Sequence, residues 1–378
     1  MERYLKRYLQ DDLEEKMVFL GGPRQVGKTT LALSLLAHHR NPPSAYLSWD
    51  VSDDQRLLLA GGLPSDGPLL VLDEIHKYKH WRSLVKGLYD RYKSRRQFLI
   101  TGSARLDHYR RGGDSLQGRY HYYRLHPLSL HELHSKPRRS DLDALLRFGG
   151  FPEPFLKQDT RHWKRWQRER QSRVLQEDLV TLEHVREVSQ LQLLARLLPE
   201  RVGSLLSIAN LKQDLSVAFE TADHWVTILE NLYYCYRIMP YGLPFLRAIK
   251  KERKLYLWDW SLCESESTRF ENLVASHLLK YCHFHEDTQG DDMSLRFLRD
   301  SVGREIDFVI LKNGKPEFAV ECKSGPRTLS RNIRYFAERT PIPQYYQVHL
   351  EAEGSDTEWP QAKARIMPFV RLCELLRL

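Results

Sequence analysis

The octapeptide GPRQVGKT, Gly22 to Thr29, constrains this chain more than any other feature, because it stands between an apolar run, KMVFLGG, and a stretch of helical periodicity. A glycine-rich turn in that setting aims backbone N–H groups at one point beside a helix N-terminus, where the helix dipole favours phosphate. Gly22, Pro23, Arg24, Gln25, Val26, Gly27, Lys28, Thr29 and Thr30 are therefore the expected nucleotide-binding residues. Lys28 would hold the β/γ-phosphates and Thr29 would ligate Mg²⁺, so ATP and Mg²⁺ are the implied cofactors.

Such a loop needs a parallel sheet around it, and residues 1–130 supply the pattern: KMVFLGG, SAYLSWD, PLLVLDEI and QFLITGS alternate with helical stretches. Asp73, at the C-terminal end of PLLVLDE, is placed to hold the Mg²⁺ shell, and Glu74 beside it to polarise an attacking water, which points to hydrolysis. QFLITGS ends in Ser103, with Thr101 as the competing choice, as a side chain able to sense the γ-phosphate from the adjacent strand. Arg105, Arg110, Arg111 and Arg119 follow and are candidates for an arginine acting on a neighbouring subunit's site, although each alone is more readily an ordinary surface arginine. A chance glycine turn beside a buried ion pair is the plainer alternative, and it must also explain both strand contexts in order.

At 378 residues the chain exceeds one ordinary core, which implies several domains. Its net charge of +9 makes polyanions plausible partners without distinguishing DNA from RNA or acidic protein. Five cysteines with no C-x-x-C spacing suggest reduced thiols, and no apolar run approaches the ~18 residues of a membrane span, so the expectation is a cytoplasmic protein with no membrane partner.

Residues 131–190 are helical and strongly charged. Within TRHWKRWQRERQSR, Arg161, Lys164, Arg165 and Arg168 fall at i, i+3, i+4 and i+7, a basic stripe, while Trp163 and Trp166 lie on another flank. A helix that buries its tryptophans under a solvated charged face explains this as well as contact with a polyanion does. Residues 191–262 give a helix, a short helix (SIANLKQDL), a Thr221-capped helix (TADHWVTILENLYY) and two strands (YRIMPY, KLYLWD), the order of a winged helix. Asp223 and Glu230 on the third helix would repel phosphates, so packing or protein contact competes with DNA reading there.

Residues 263–378 pose a sharper question. A helix, RFENLVASHLLKY, precedes strands SLRFLRD, EIDFVIL and EFAVECK. A metal-dependent nuclease needs carboxylates from two neighbouring strands on one Mg²⁺, with a lysine near the scissile phosphate; Asp307, Glu321 and Lys323 are the candidates, and Glu271 on the helix would be the third carboxylate. Strand period sets Glu305 and Asp307 on one face of EIDFVIL and Ile306, Phe308 and Ile310 on the other; in EFAVECK, Glu321 and Lys323 oppose Phe318, Val320 and Cys322.

The turn then decides. A two-residue Asn313-Gly314 turn pairs Asp307 with Val320 and sets Glu321 on the wrong face. A three-residue loop, Lys312-Asn313-Gly314 with Gly314 left-handed in a bulge, pairs Leu311 with Lys315 and Asp307 with Ala319, and unites the three residues. The three-residue loop is the expectation. An ordinary charged sheet face, with Glu321 and Lys323 as partners, is the alternative. His283 and His285 in HFH suggest an alternating strand without further metal ligands.

The succession GPRQVGKT, VLDEIHK, LITGSA, GRYHYYRLHPLSLHEL and GGFPEP resembles the prokaryotic AAA-family ATPases fused to a C-terminal domain of unknown function, over nearly the whole chain. The resemblance implies a multidomain α/β protein: a P-loop AAA-type core (1–130), a helical lid (131–190), a winged helix (191–262) and an α/β nuclease-like, restriction-endonuclease-like domain related to the PD-(D/E)XK nucleases (263–378). By position it singles out Arg119 as the trans-acting arginine of a homo-oligomer. The expected function is a Mg²⁺-dependent ATPase directed at nucleic acid, DNA before RNA. A non-cutting switch and a transcription regulator are the alternatives.

Overall fold

The computed structural model describes residues 2–38, 45–64, 67–103, 116–134, 136, 138–173, 187–242, 253–323, 325, 328–351 and 356–377. Arg105, Arg110 and Arg111 lie outside them. The chain forms two compact units, one built mainly on residues up to His126 and the other mainly on residues from Pro127 onward, so the expected four-part division is finer than the units. Among the described residues, no helix is long and apolar enough to cross a membrane.

The first unit holds a parallel sheet of β1 (Met17–Gly21), β2 (Tyr46–Ser48), β3 (Leu69–Asp73), β4 (Gln97–Gly102) and β5 (Tyr120–Arg124), in the order β2-β3-β4-β1-β5. Every residue of β1 and β3 is buried, as their unbroken apolar runs require of strands covered on both faces. Phe19, Leu70, Leu72, Phe98 and Ile100 pack with Trp81, Val85 and Leu88 of the helix Trp81–Tyr92. Each such side chain contributes roughly 1.5–3 kcal/mol when fully buried. β5, YHYYR, carries no apolar run and was not legible as a strand; among the described residues it pairs along β1 at the edge of the sheet. Because β4 lies between β1 and β3, Gly21 neighbours Gly102 and Asp73 neighbours Thr101, and the C-terminal ends of three strands stand side by side.

The second unit holds a nine-stranded sheet, in order β13-β14-β12-β11-β10-β9-β7-β8-β6. Its strands are β6 (Leu205–Leu206), β7 (Cys235–Pro240), β8 (Arg253–Leu257), β9 (Met293–Arg299), β10 (Glu305–Lys312), β11 (Lys315–Lys323), β12 (Tyr345–His349), β13 (Thr357–Trp359) and β14 (Ala364–Pro368). The helices Val188–Leu197, Ile208–Leu215 and Phe219–Asn231 are interleaved with β6 and precede β7 and β8. The third starts at Phe219, not at a Thr221 cap, because the left-handed Ser216 ends the helix before it and Ala218 already accepts from the Ala222 N–H. β7 pairs in parallel with β9, at Met239↔Arg296 and Pro240↔Phe297, so one sheet runs on through residue 262.

The helix Glu266–Gln289 opens on a Ser265 hydroxyl that accepts the Thr268 N–H at 3.0 Å, and stops at Gly290 with φ +73°. It absorbs HFH: His283 and His285 are helical, and two residues apart on a helix they share no face. Three alternating residues were too short a pattern to outweigh the helical run around them.

The hairpin corrects the expected loop. β10 and β11 meet at Lys312↔Lys315, a two-residue turn with Asn313 at φ +52° and Gly314 at φ +76°, both left-handed as a type I′ turn demands. The pairing then slips: Leu311 faces Pro316 but Ile310 faces Phe318, leaving Glu317 as an extra residue. Beyond that bulge Val309 faces Ala319 and Phe308 faces Val320, and a second irregularity, in the pairing of β10 with β9 between Ile306 and Val309, falls at Asp307. Asp307 is brought to β11, where it accepts the Cys322 N–H at 2.8 Å, with a bulge inside the strand and not a three-residue turn setting the register. The sheet is also covered on both sides. Phe308, Ile310, Phe318 and Val320 are buried on one, while Ile306, Val309 and Ala319 pack against Ile333 and Phe336 of the helix Arg331–Ala337 on the other.

Candidate functional site

The phosphate loop takes the backbone that its glycines permit. Gly22 and Gly27 have φ +151° and +100°, Gln25 is left-handed at +63°, and a Cβ on Gly22 would meet the Leu125 carbonyl oxygen at 2.5 Å. Lys28 opens the helix Lys28–His38 and donates from Nζ to the Gly22 and Pro23 carbonyls, each at 2.8 Å, so its ammonium lies along the loop. Arg3 fastens the loop from behind, donating to the Val26 carbonyl at 2.6 Å and to that of His126 at 2.5 Å. No spacing in the sequence marked Arg3. Val26 is buried, Arg24 and Gln25 are half-buried, and Thr29 and Thr30 are exposed.

β3 and β4 bring the acids to the loop. The Thr29 hydroxyl donates to Asp73 Oδ2 at 3.2 Å, and Tyr46 and Thr101 hydroxyls also donate to the Asp73 carboxylate. Two oxygens on one octahedral Mg²⁺ with bonds of 2.0–2.1 Å stand about 2.9 Å apart, so the Thr29–Asp73 pair fits that ion. Burial and then the Asp73 charge push the Tyr46 phenol up, which keeps it a donor. Glu74 follows in a left-handed conformation, φ +54°, which turns its carboxylate to the Ser103 hydroxyl at 3.0 Å. Such a non-glycine residue costs of order 1–3 kcal/mol, held here by the Glu74 N–H donating to Thr101 O at 3.0 Å.

Burial alone would raise the Glu74 pKa; the positive charges of His76, Lys28 and Lys77 and the Ser103 hydroxyl outweigh it and hold the carboxyl below its usual range. Lys77 Nζ is 3.8 Å away and His76 Nε2 is 3.7 Å away. Burial pushes His76 down, and neither of its ring nitrogens has a hydrogen-bond partner among the described residues. Thr101 and Ser103, the two residues the sequence weighed against each other, are both occupied with the acids: the first holds Asp73, the second Glu74. Arg119 is not brought in. Its carbonyl accepts from Met17 at the start of β1, the opposite end of the sheet from the loop, and its guanidinium donates to Asp90 at 3.1 Å.

In the second unit Asp307 accepts the Cys322 N–H at 2.8 Å, and Glu321 accepts from Lys323 at 2.5 Å and Ser330 at 2.8 Å. Glu271 joins them from the helix, but through a residue the sequence reading missed: Lys254 of β8, whose ammonium is 2.5 Å from Glu305, 3.3 Å from Glu271 and 3.8 Å from Asp307. Tyr256, two residues on, donates to Glu271 at 2.8 Å. Burial, then the Asp307 charge, push Glu271 up to about 7, and burial raises Asp307 and Glu321. Burial opposes the Lys254 charge, yet Glu271, Asp307 and Glu305 raise its pKa. Among the described residues no three Asp, Glu, His or Cys side chains form a group able to hold a metal ion. A lysine and a tyrosine alternating with leucines in KLYL were the available signal.

Residues 14–134 match a family model described as an AAA domain; residues 139–271 and 268–366 match two domains of unknown function, DUF8612 and DUF4143. The uncharacterized protein Rv2008c of Mycobacterium tuberculosis is 28% identical over 330 residues, covering 84% of this chain and 73% of its own. The uncharacterized protein MJ1637 of Methanocaldococcus jannaschii is 24% identical over 310 residues, 68% of this chain and 63% of its own. Among solved structures, the Thermotoga maritima RuvB Holliday junction branch migration motor is similar over 62% of this chain and 88% of that one, at 16% identity and a TM-score of 0.33, too low to argue from. The chain therefore joins an AAA-type P-loop ATPase-like domain to C-terminal regions that match domains of unknown function.

Proposed function

We propose that the first unit is a Mg²⁺-dependent ATPase. The observation that carries this is the meeting of Lys28, Thr29, Asp73, Glu74 and Ser103 at adjoining C-terminal strand ends. The loop's N–H groups and Lys28 bind and orient the phosphates. Thr29 and Asp73 would hold the Mg²⁺, which supplies charge neutralisation at the β- and γ-oxygens. Glu74, ionised and steered by Ser103, orients the attacking water and takes its proton. Arg119, pointing away from its own loop, suits only a neighbour's site in a head-to-tail oligomer. Steady-state ATP hydrolysis tests the reading: Lys28→Ala abolishes turnover in a folded protein, and a variant that still hydrolyses at the native rate removes it.

For the second unit, the order helix, β6, helix, helix, β7, β8 supports a winged helix, and the helix followed by β9 to β12 supports a nuclease-like fold. A nucleic-acid partner is favoured by one observation. Arg161, Lys164, Arg165 and Arg168 are all exposed along the helix Thr160–Ser172 without an ion pair among the described residues, while Trp166 is buried and the Trp163 indole donates to Ser261 at 3.2 Å. Four such cations match phosphates. The third helix of the winged helix is less suited, because Asp223 and Glu230 are tied to Arg237 at 2.9 and 2.7 Å. Replacing the four cations with alanine should weaken DNA binding and reduce the slope of log K against log salt by up to about 3.6. An unchanged slope by fluorescence anisotropy rules the stripe out.

A further inference from the structure

Two of the carboxylates that a metal-dependent nuclease would direct at one divalent ion, Glu271 and Asp307, are directed here at a lysine of the same chain. Lys254 is almost wholly buried, with a side chain 2% exposed, and lies on β8 beside Tyr256. Its ammonium is 2.5 Å from Glu305 Oε1, 3.3 Å from Glu271 Oε1 and 3.8 Å from Asp307 Oδ1. Other oxygens of the same groups are committed as well. Glu305 Oε2 meets Arg299 at 3.1 Å, Asp307 Oδ2 accepts the Cys322 N–H at 2.8 Å, and Glu321 Oε1 accepts from Lys323 and Ser330. Glu321 Oε2 is buried with no hydrogen-bond partner among the described residues.

A divalent ion would need several of these oxygens at about 2.0–2.6 Å, and would stand within a few ångströms of a buried ammonium that already neutralises them. In an interior of low dielectric two such cations exclude each other. A lysine at this place brings charge and three donors, and offers no open coordination position for water.

We propose that the Lys254 ammonium is the resident cation of this cluster, standing where a divalent metal would stand, so that the second unit does not cleave phosphodiester bonds, and that removing the ammonium opens a divalent-cation site. The inference favours the non-cutting reading of the C-terminal region and does not depend on ATP hydrolysis.

Mn²⁺ titration of the nucleotide-free full chain, followed by electron paramagnetic resonance in an Asp73→Asn background, tests it. That background should bind no Mn²⁺ with a Kd below the order of 10⁻³ M. Adding Lys254→Met should create one site at least tenfold tighter, which Asp307→Asn then removes. Since Lys254→Met leaves carboxylates unpaired, its melting temperature is recorded with and without Mn²⁺, and a rise on adding Mn²⁺ is expected. The proposal is overturned if the Lys254-containing protein binds Mn²⁺ in an Asp307-dependent way, or if folded Lys254→Met gains neither a site nor stability. Mn²⁺-dependent DNA cleavage by the native chain that Glu321→Ala abolishes overturns it independently of the variant's folding.

Discussion

At the phosphate loop Asp73 and Glu74 accept from four hydroxyls, those of Thr29, Tyr46, Thr101 and Ser103, with the Lys77 ammonium at 3.8 Å from Glu74; in the second unit Glu271, Glu305 and Asp307 gather around one buried ammonium, with the Tyr256 hydroxyl also on Glu271. Both arrangements keep buried acids ionised or hydrogen-bonded, yet they leave different chemistry open. A hydroxyl brings no charge and can turn or exchange, so Thr29 can pass from donating to Asp73 to sharing an ion with it. An ammonium brings the charge itself. Removing one partner of a buried pair costs about 3–5 kcal/mol, so Lys254 cannot step aside cheaply. The same contrast holds for two buried histidines: His76 has neither ring nitrogen hydrogen-bonded among the described residues, whereas His277 uses both.

The largest test of this contrast sets two glutamates side by side. Glu74→Gln should lower ATP turnover at least about a hundredfold, the usual contribution of a positioned general base, while leaving ATP binding in place. Glu321→Gln should leave turnover within about twofold. Parallel kcat and nucleotide-binding measurements decide, and equal losses from both substitutions would break the distinction between the sites.

The first unit was more legible than the second for a physical reason. Its strands are buried runs on a parallel sheet, and its chemistry sits at fixed offsets from them: Lys28 from the loop glycines, Asp73 and Glu74 at the end of LLVLD. Adjacent residues carried the signal. The second unit's cluster draws on β8, the helix Glu266–Gln289, β10 and β11, spread over residues 254–323, and the pairing of β8 with β7 and of β7 with β9, together with the Leu257–Asn272 hydrogen bonds from β8 to the helix, brings Lys254 to the others. Strand period put Phe308, Ile310, Phe318 and Val320 together correctly, but not Ile306, which packs with Val309 and Ala319 on the other side, and it did not show the irregularities that set the register. A tight Asn-Gly turn with a bulge at Glu317 and a longer loop with no such bulge have the same parity, and parity is all that alternation fixes.

The smaller test concerns His277, on the closed side of the contrast. Its Nδ1–H donates to the Leu273 carbonyl at 2.8 Å and its Nε2 accepts the Leu130 N–H at 3.2 Å, so the network requires the neutral ring in one tautomer. Burial, with Lys280 adding repulsion against the Leu273 carbonyl and Glu132, pushes its pKa down to about 3. A histidine depressed in the folded state binds its proton more readily when unfolded, at about 6.5. Its contribution is therefore complete above that pH and is lost as the pH falls toward 3, by up to about 1.4 kcal/mol per pH unit. Between pH 7.5 and 5.5 the native chain should lose about 1 kcal/mol more than His277→Gln, whose amide can donate and accept at the same two places without titrating. Denaturant unfolding at the two pH values measures the difference, and parallel losses in the two proteins would show that the ring is not the titrating group.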